Sequence, residues 1–135
     1  SPAEKPQLYS LDLEGGAPPR RLEGQHAGSA NVNPQWSPDG SHIVFYRTVE
    51  SNNYEIMLAN SDGSDVRRLT YEAGWDYGPL WTPDGRRIVF KSRREGGDVD
   101  RYYVVNLDGS SVQRLSGALQ VVDKSRFPWG GEIVQ

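Results

Sequence analysis

Cysteine is missing from all 135 residues, which excludes a disulfide framework and any thiolate metal site. Its absence suits the cytoplasm, and equally a periplasm where stray disulfides are avoided. Histidine occurs only twice and methionine once. No apolar run approaches the roughly 20 residues that a membrane-spanning helix needs. Basic residues are not in surplus: 15 Lys and Arg face 18 Asp and Glu, for a net charge of −3. That balance lacks the electrostatic footprint of a nucleic-acid binder. No Gly-x-Ser-x-Gly elbow presents a nucleophilic serine, so peptidase or esterase chemistry has no evident home. The opening Ser1-Pro2-Ala3-Glu4-Lys5-Pro6 fits either a mature N-terminus after signal removal or a boundary chosen for expression.

What the chain has in quantity is turn-forming and strand-forming residues: Gly 15, Pro 9, Trp 4 and Tyr 7. Glycine and proline punctuate turns, whereas Trp and Tyr favour pleated, half-buried surfaces. Many short strands joined by tight turns are expected. With 36% hydrophobic and 24% charged residues, the composition is that of a soluble globular domain.

An internal repeat organises these strands. Asn33-Pro34-Gln35-Trp36-Ser37-Pro38-Asp39-Gly40 returns as Gly78-Pro79-Leu80-Trp81-Thr82-Pro83-Asp84-Gly85, and 81 − 36 gives a period of 45 residues. Ile43-Val44-Phe45 answers Ile88-Val89-Phe90 at the same offset. After a one-residue difference in length, Asn60-Ser61-Asp62-Gly63-Ser64 answers Asn106-Leu107-Asp108-Gly109-Ser110, and Val66 to Thr70 answers Val112 to Ser116. Each copy reads as four strands. A short first strand around Pro34–Trp36 enters a turn in which Pro38 presets φ and Gly40 supplies positive φ. The second strand, His42–Arg47, carries Ile43 and Phe45 on one face and Val44 and Tyr46 on the other, so both faces should be covered. The third runs near Tyr54–Ala59, and the fourth, Val66–Leu69, alternates apolar residues with arginine as a protected edge strand does.

Four-stranded units of roughly 40–45 residues are the mark of propeller blades. The pattern P-x-W-S/T-P-D-G, an I-V-F strand, a D-G-S turn and an R-L-S/T ending resembles the TolB-type β-propeller repeat over residues 7–135. The fold expected is all-β, a single β-propeller domain over 1–135 with whole blades at 33–70 and 78–116. Residues 7–22 look like the outer strands of a blade lacking its inner half. Residues 127–135 look like inner strands, with Phe127-Pro128-Trp129 leading to a Gly130-Gly131 turn. That makes three blade equivalents, whereas closed propellers have roughly four to eight. A two-fold homodimer would supply six, the number in the TolB-type propeller, and two-fold dimers are the commonest oligomers. A fragment of a longer propeller explains the same residues.

The resemblance implies a non-enzymatic binding or assembly scaffold in a periplasmic or secreted setting. Its partner would be an envelope protein such as a lipoprotein, a peptide or a glycan, with no cofactor, nucleic acid or membrane insertion. A fold does not by itself assign such a function. The segments that join one blade to the next gather at one mouth of a propeller channel: Ser29–Asn33, Gly74–Gly78 and Asp123–Phe127. From these, Asn31, Asn33, Trp75, Asp76, Tyr77, Lys124 and Arg126 are the candidate ligand-binding residues. Trp75 and Tyr77 around Asp76 combine aromatic surface with a carboxylate, as at binding hot spots. Trp75 is equally suited to plugging the channel.

Other residues have structural explanations. Trp36, Trp81 and Trp129 are expected between blades, and Asp39 and Asp84 are expected to fix turns. Asp98 and Asp100 are two carboxylates that suit calcium, or a solvated loop paired with Arg93 and Arg94. Arg20, Arg21, Arg67, Arg68 and Arg114 read as edge-strand charges or as a ring gripping an acidic partner. An alternative function is a metal-dependent hydrolase or lyase in the channel, with His26, His42 or Asp76 as ligands. A third is a self-assembling propeller without any ligand.

Overall fold

The computed structural model describes residues 4–26, 28–115, 120–122 and 132–134. Its strands form two four-stranded and two two-stranded antiparallel sheets. The first small sheet pairs β1 (Tyr9–Ser10) with β2 (Arg20–Arg21). Blade I comprises β3 (Asn31–Trp36), β4 (His42–Val49), β5 (Asn53–Asn60) and β6 (Arg67–Arg68), paired in chain order. Blade II repeats this with β7 (Asp76–Trp81), β8 (Arg87–Ser92), β9 (Arg101–Asn106) and β10 (Gln113–Arg114). A last hairpin pairs β11 (Gln120–Val122) with β12 (Glu132–Val134). The expected first strand at 127–129, with Trp129, lies outside the described residues. The strand opposite β12 here is drawn from Gln120–Val122.

The repeat is reproduced down to its irregularities. In both blades the first strand carries a bulge, between Val32 and Gln35 and again between Tyr77 and Leu80. Asn33 at φ 56° and Gly78 at φ 61° supply the left-handed backbone the bulge requires, a conformation that Asn tolerates better than most residues. The Ser-Pro-Asp-Gly turns close as expected. Asp39 accepts from the Ser41 amide at 3.0 Å and from the Ser37 and Ser41 hydroxyls at 2.7 Å each. Asp84 accepts from Thr82 at 2.6 Å and the Arg86 amide at 3.0 Å. These bonds hold both carboxyls below the ordinary carboxylate range.

Both faces of β4 are covered. Val44 joins Ile56, Leu58, Leu69, Trp81, Ile88, Phe90, Tyr103 and Val105 in the core between the two blades. Ile43 and Phe45 join Met57, Ala59, Leu8 and Leu22 in a second core beneath the β1–β2 sheet. The continuous apolar run is therefore a consequence of two-sided burial. The fourth strands are shorter than expected, two residues each. In blade I a side chain ends the ladder: Leu69 N still donates to Ile56 O at 2.8 Å, but Ile56 N then donates to the Thr70 hydroxyl at 3.0 Å.

The tryptophans divide. Trp81 is fully buried, and its indole N–H donates across the interface to Gln35 O of β3 at 2.9 Å. Trp36, its repeat equivalent, is 51% exposed, so the expectation that it packs between blades is not met among the described residues. The cause is geometric: β1 and β2 cover Ile43 and Phe45 of the middle strand, leaving Trp36 at the end of β3 without a neighbour like the one β3 provides for Trp81.

Candidate binding site at the blade interface

The segment from β6 to β7 crosses from one blade to the next, and its backbone is pinned from below. Glu55, in the apolar run of β5, is fully buried. It accepts from Thr70 Oγ1 at 2.5 Å, from the Glu72 amide at 2.9 Å and from Asn53 Nδ2 at 2.9 Å, with Arg68 Nη2 at 3.3 Å. Asp76, fully buried at the start of β7, accepts from Ser92 Oγ at 2.5 Å and from Arg94 Nη2 at 2.9 Å. Arg94 also reaches Glu72 at 3.4 Å. Burial pushes both carboxyls upward in pKa, each reinforced or opposed by its neighbours: Thr70 and Arg68 oppose it at Glu55, Ser92 and Arg94 at Asp76. Buried acids persist only when satisfied in this way.

On this base stands an aromatic cluster drawn from both blades. Tyr54 of β5 and Trp75 meet edge to face with centroids 4.8 Å apart. Tyr46 of β4 contacts Tyr54 at 5.5 Å and Tyr77 of β7 at 6.1 Å, and Trp75 meets Tyr77 at 6.3 Å. The Arg93 guanidinium lies 4.6 Å from the Trp75 ring centre and 5.8 Å from that of Tyr77. Arg93 is steered there by Asp100 at 2.9 Å, whose other oxygen accepts from the Tyr77 hydroxyl at 2.6 Å. Trp75 keeps 37% of its surface exposed. The result is an amphipathic platform of rings with a cation stacked on it, a surface that offers apolar area, stacking and hydrogen bonding together. Gly74 makes the approach possible, because a Cβ there would sit 2.5 Å from the Arg93 carbonyl oxygen.

The candidate residues thus separate. Trp75 and Tyr77 come together on the platform. Asp76 turns beneath it and holds Arg94, its carboxylate sealed from solvent. Asn31 is buried and bonded to Arg47 Nε at 2.6 Å, whereas Asn33 is exposed at the bulge, accepting from Gln35 Nε2 at 3.3 Å. Lys124 and Arg126 lie outside the described residues. Arg93 pairs with Asp98 at 3.7 Å and Asp100 at 2.9 Å as expected, but Arg94 turns inward instead to Asp76. Arg68 also departs from a simple edge charge, since it binds Glu55 and stacks 4.3 Å from the Tyr71 ring. His42 shares a 2.8 Å hydrogen bond with Ser41. Among the described residues no three His, Asp or Glu side chains are grouped to hold a metal ion, and no helix is long and apolar enough to cross a membrane.

Sequence reading passed over Glu55, Tyr46, Tyr54 and Arg93 as members of one site. A signal existed for the first, a lone acid inside Asn53-Tyr54-Glu55-Ile56-Met57-Leu58-Ala59. Tyr46 and Tyr54 are brought there by the packing of β4 and β5 against β7, and Arg93 by its bond to Asp100.

Four-stranded antiparallel blades stacked face to face, closed by Pro-Asp-Gly turns and bridged by a tryptophan, define a β-propeller protein. The chain belongs to the TolB beta propeller domain family, whose model matches residues 2–134. It is similar to the solved structure of a protein described as a TolB from Agrobacterium tumefaciens, with 30% identity and a TM-score of 0.67 over 80% of this chain. It is similar also to TolB from Acinetobacter baumannii, with 29% identity and a TM-score of 0.68 over 84% of this chain. An uncharacterized protein of Agrobacterium fabrum is 35% identical over 70 residues, or 52% of this chain. The matches span 40%, 27% and 22% of those longer chains, respectively.

Proposed function

We propose that this protein is a non-enzymatic recognition scaffold of the TolB type. Its ligand would be a protein, peptide or glycan, held at the mouth of the channel that the first strands of a complete ring would line. The observation that carries this reading is the two-blade platform, with Trp75 partly open beneath the Arg93 guanidinium. Here four rings and a cation are arranged at the edge of a blade interface. Rigid rings on strands bind at low entropic cost, and aromatic and arginine side chains dominate binding hot spots. Family membership supports a binding role in general and an envelope location in particular, since the relatives of known structure are TolB proteins.

Closure of the ring by a second copy belongs to the same proposal, with inner strands of the partner covering Trp36 as β3 covers Trp81. The binding reading is tested by selecting peptides from a display library on the wild-type protein and measuring them against Trp75→Ala. Loss of binding with unchanged circular dichroism and Tm supports the platform. Peptides that bind both proteins equally overturn it.

A further inference from the structure

The groove beside Trp75 has a counterpart one repeat earlier, and its chemistry is different. Between Lys5, the segment from His26 to Ser29 and blade I lies a cleft of about 590 Å³ whose lining includes Lys5, His26, Arg47, Glu50 and Arg68. Arg47 is only 6% exposed. It spends Nε on Asn31 Oδ1 at 2.6 Å and Nη2 on the Gly24 carbonyl at 2.8 Å, two of the five N–H donors a guanidinium carries. Both acceptors are neutral. Among the described residues no carboxylate lies within ion-pair distance of Arg47, and burial pulls its pKa downward.

The second repeat shows how a guanidinium against the equivalent acceptor position is neutralised. There the partly buried Arg94, from a different position in the repeat, is paired with Asp76 at 2.9 Å and Glu72 at 3.4 Å. At the 45-residue offset those two acids correspond to Asn31 (76 − 45) and Ala27 (72 − 45), neither of which can carry charge. The equivalence of Asn31 and Asp76 is structural as well, since they open β3 and β7 and pair with Arg47 and Ser92 at matching positions. Arg47 stands at the position of Ser92, so blade I places a buried guanidinium directly against Asn31 with no counter-ion, an arrangement that is costly unless an anion completes it. Glu50 does not, because it is largely exposed and faces Arg68 at 3.8 Å.

We infer that the cleft between the His26–Ser29 segment and blade I is an oxyanion site, in which Arg47, with Lys5 at the rim, binds a carboxylate or phosphate group. Planar guanidinium N–H pairs match either oxyanion, and a partly buried setting strengthens the bond. The site is separate from the aromatic platform and does not depend on it.

The test is calorimetric titration of the intact protein with inorganic phosphate and, in parallel, with succinate, at constant pH and ionic strength. Saturable binding of either is expected, and the stronger of the two tells whether the natural group is a phosphate or a carboxylate. Asn31→Asp gives Arg47 the internal counter-ion that Arg94 already has. It should keep the fold and weaken binding about tenfold, the scale of one charge-assisted hydrogen bond lost to an internal competitor. Lys5→Ala, at an exposed position, should weaken binding without changing Tm. Absence of saturable binding by both anions, or affinities equal in wild type and Asn31→Asp, overturns the inference.

Discussion

At the scale of single residues, the positions that matter most are those whose environment leaves no substitute. Gly63 adopts φ +87°, and a Cβ there would meet the backbone N and O of Glu23 at 2.6 Å each. Turn and docking contact coincide, because Glu23 N donates to Asp62 O at 3.0 Å. Gly63→Ala should therefore cost about 1–3 kcal/mol by adding backbone strain to a clash, read from urea denaturation. Glu55 gives a pH prediction. Burial raises its pKa above the unfolded value of 4.5, so its share of stability is fully present below that value and is lost as pH rises through the higher folded value. Glu55→Gln does not titrate. Its stability relative to wild type should improve as pH is raised from below 4.5 toward neutrality. A difference that stays constant across that range would show that the three donors and Arg68 balance burial, and one that worsens would show that they outweigh it.

At the scale of elements, the repeat makes an internal comparison possible. Trp81 and Trp36 occupy the same place in successive first strands, yet one is buried and the other half exposed. Trp81→Ala should cost about 3–5 kcal/mol, the range for deleting a buried aromatic. Trp36→Ala, examined where the protein is monomeric, should cost about 0.5 kcal/mol or less, as exposed positions do. Equal losses, measured by chemical denaturation, would mean that Trp36 is packed in solution. How readily these elements can be read varies with what specifies them. The Pro-Asp-Gly turns were legible because Asp39 and Gly40 act within their own turn. The two-residue length of β6 was not, since Thr70 ends it by a hydroxyl bond to a neighbouring strand.

At the scale of the molecule, the unanswered geometry is the open end of β3. If a second copy closes the ring, light scattering on a sizing column should return twice the 15.1 kDa chain mass, and Trp36→Ala should reduce it toward the single value. Substitution at Trp36 would then matter to assembly far more than to the stability of one chain. A wild-type monomer would rule out closure by self-association and leave the exposed face to other blades. The platform at Trp75 and the cleft at Arg47 are both repeats of one groove, between a crossing segment and the loop after a second strand. Successive blades have furnished it differently, with rings and paired charges in one case and an uncompensated guanidinium in the other.

The 45-residue period, the strand boundaries near Ile43 and Ile88, the two-sided burial of β4 and the family were determined by the sequence itself, because each rests on neighbours a few residues apart or on repetition. Tertiary structure alone decided that Asp76 points inward, that Trp36 differs from Trp81, and that Tyr46, Tyr54, Trp75 and Arg93 share one surface. Those outcomes depend on which blade face meets which neighbour. A repeat makes the blades alike in backbone, while the charge or ring at each interface is completed by residues on other strands.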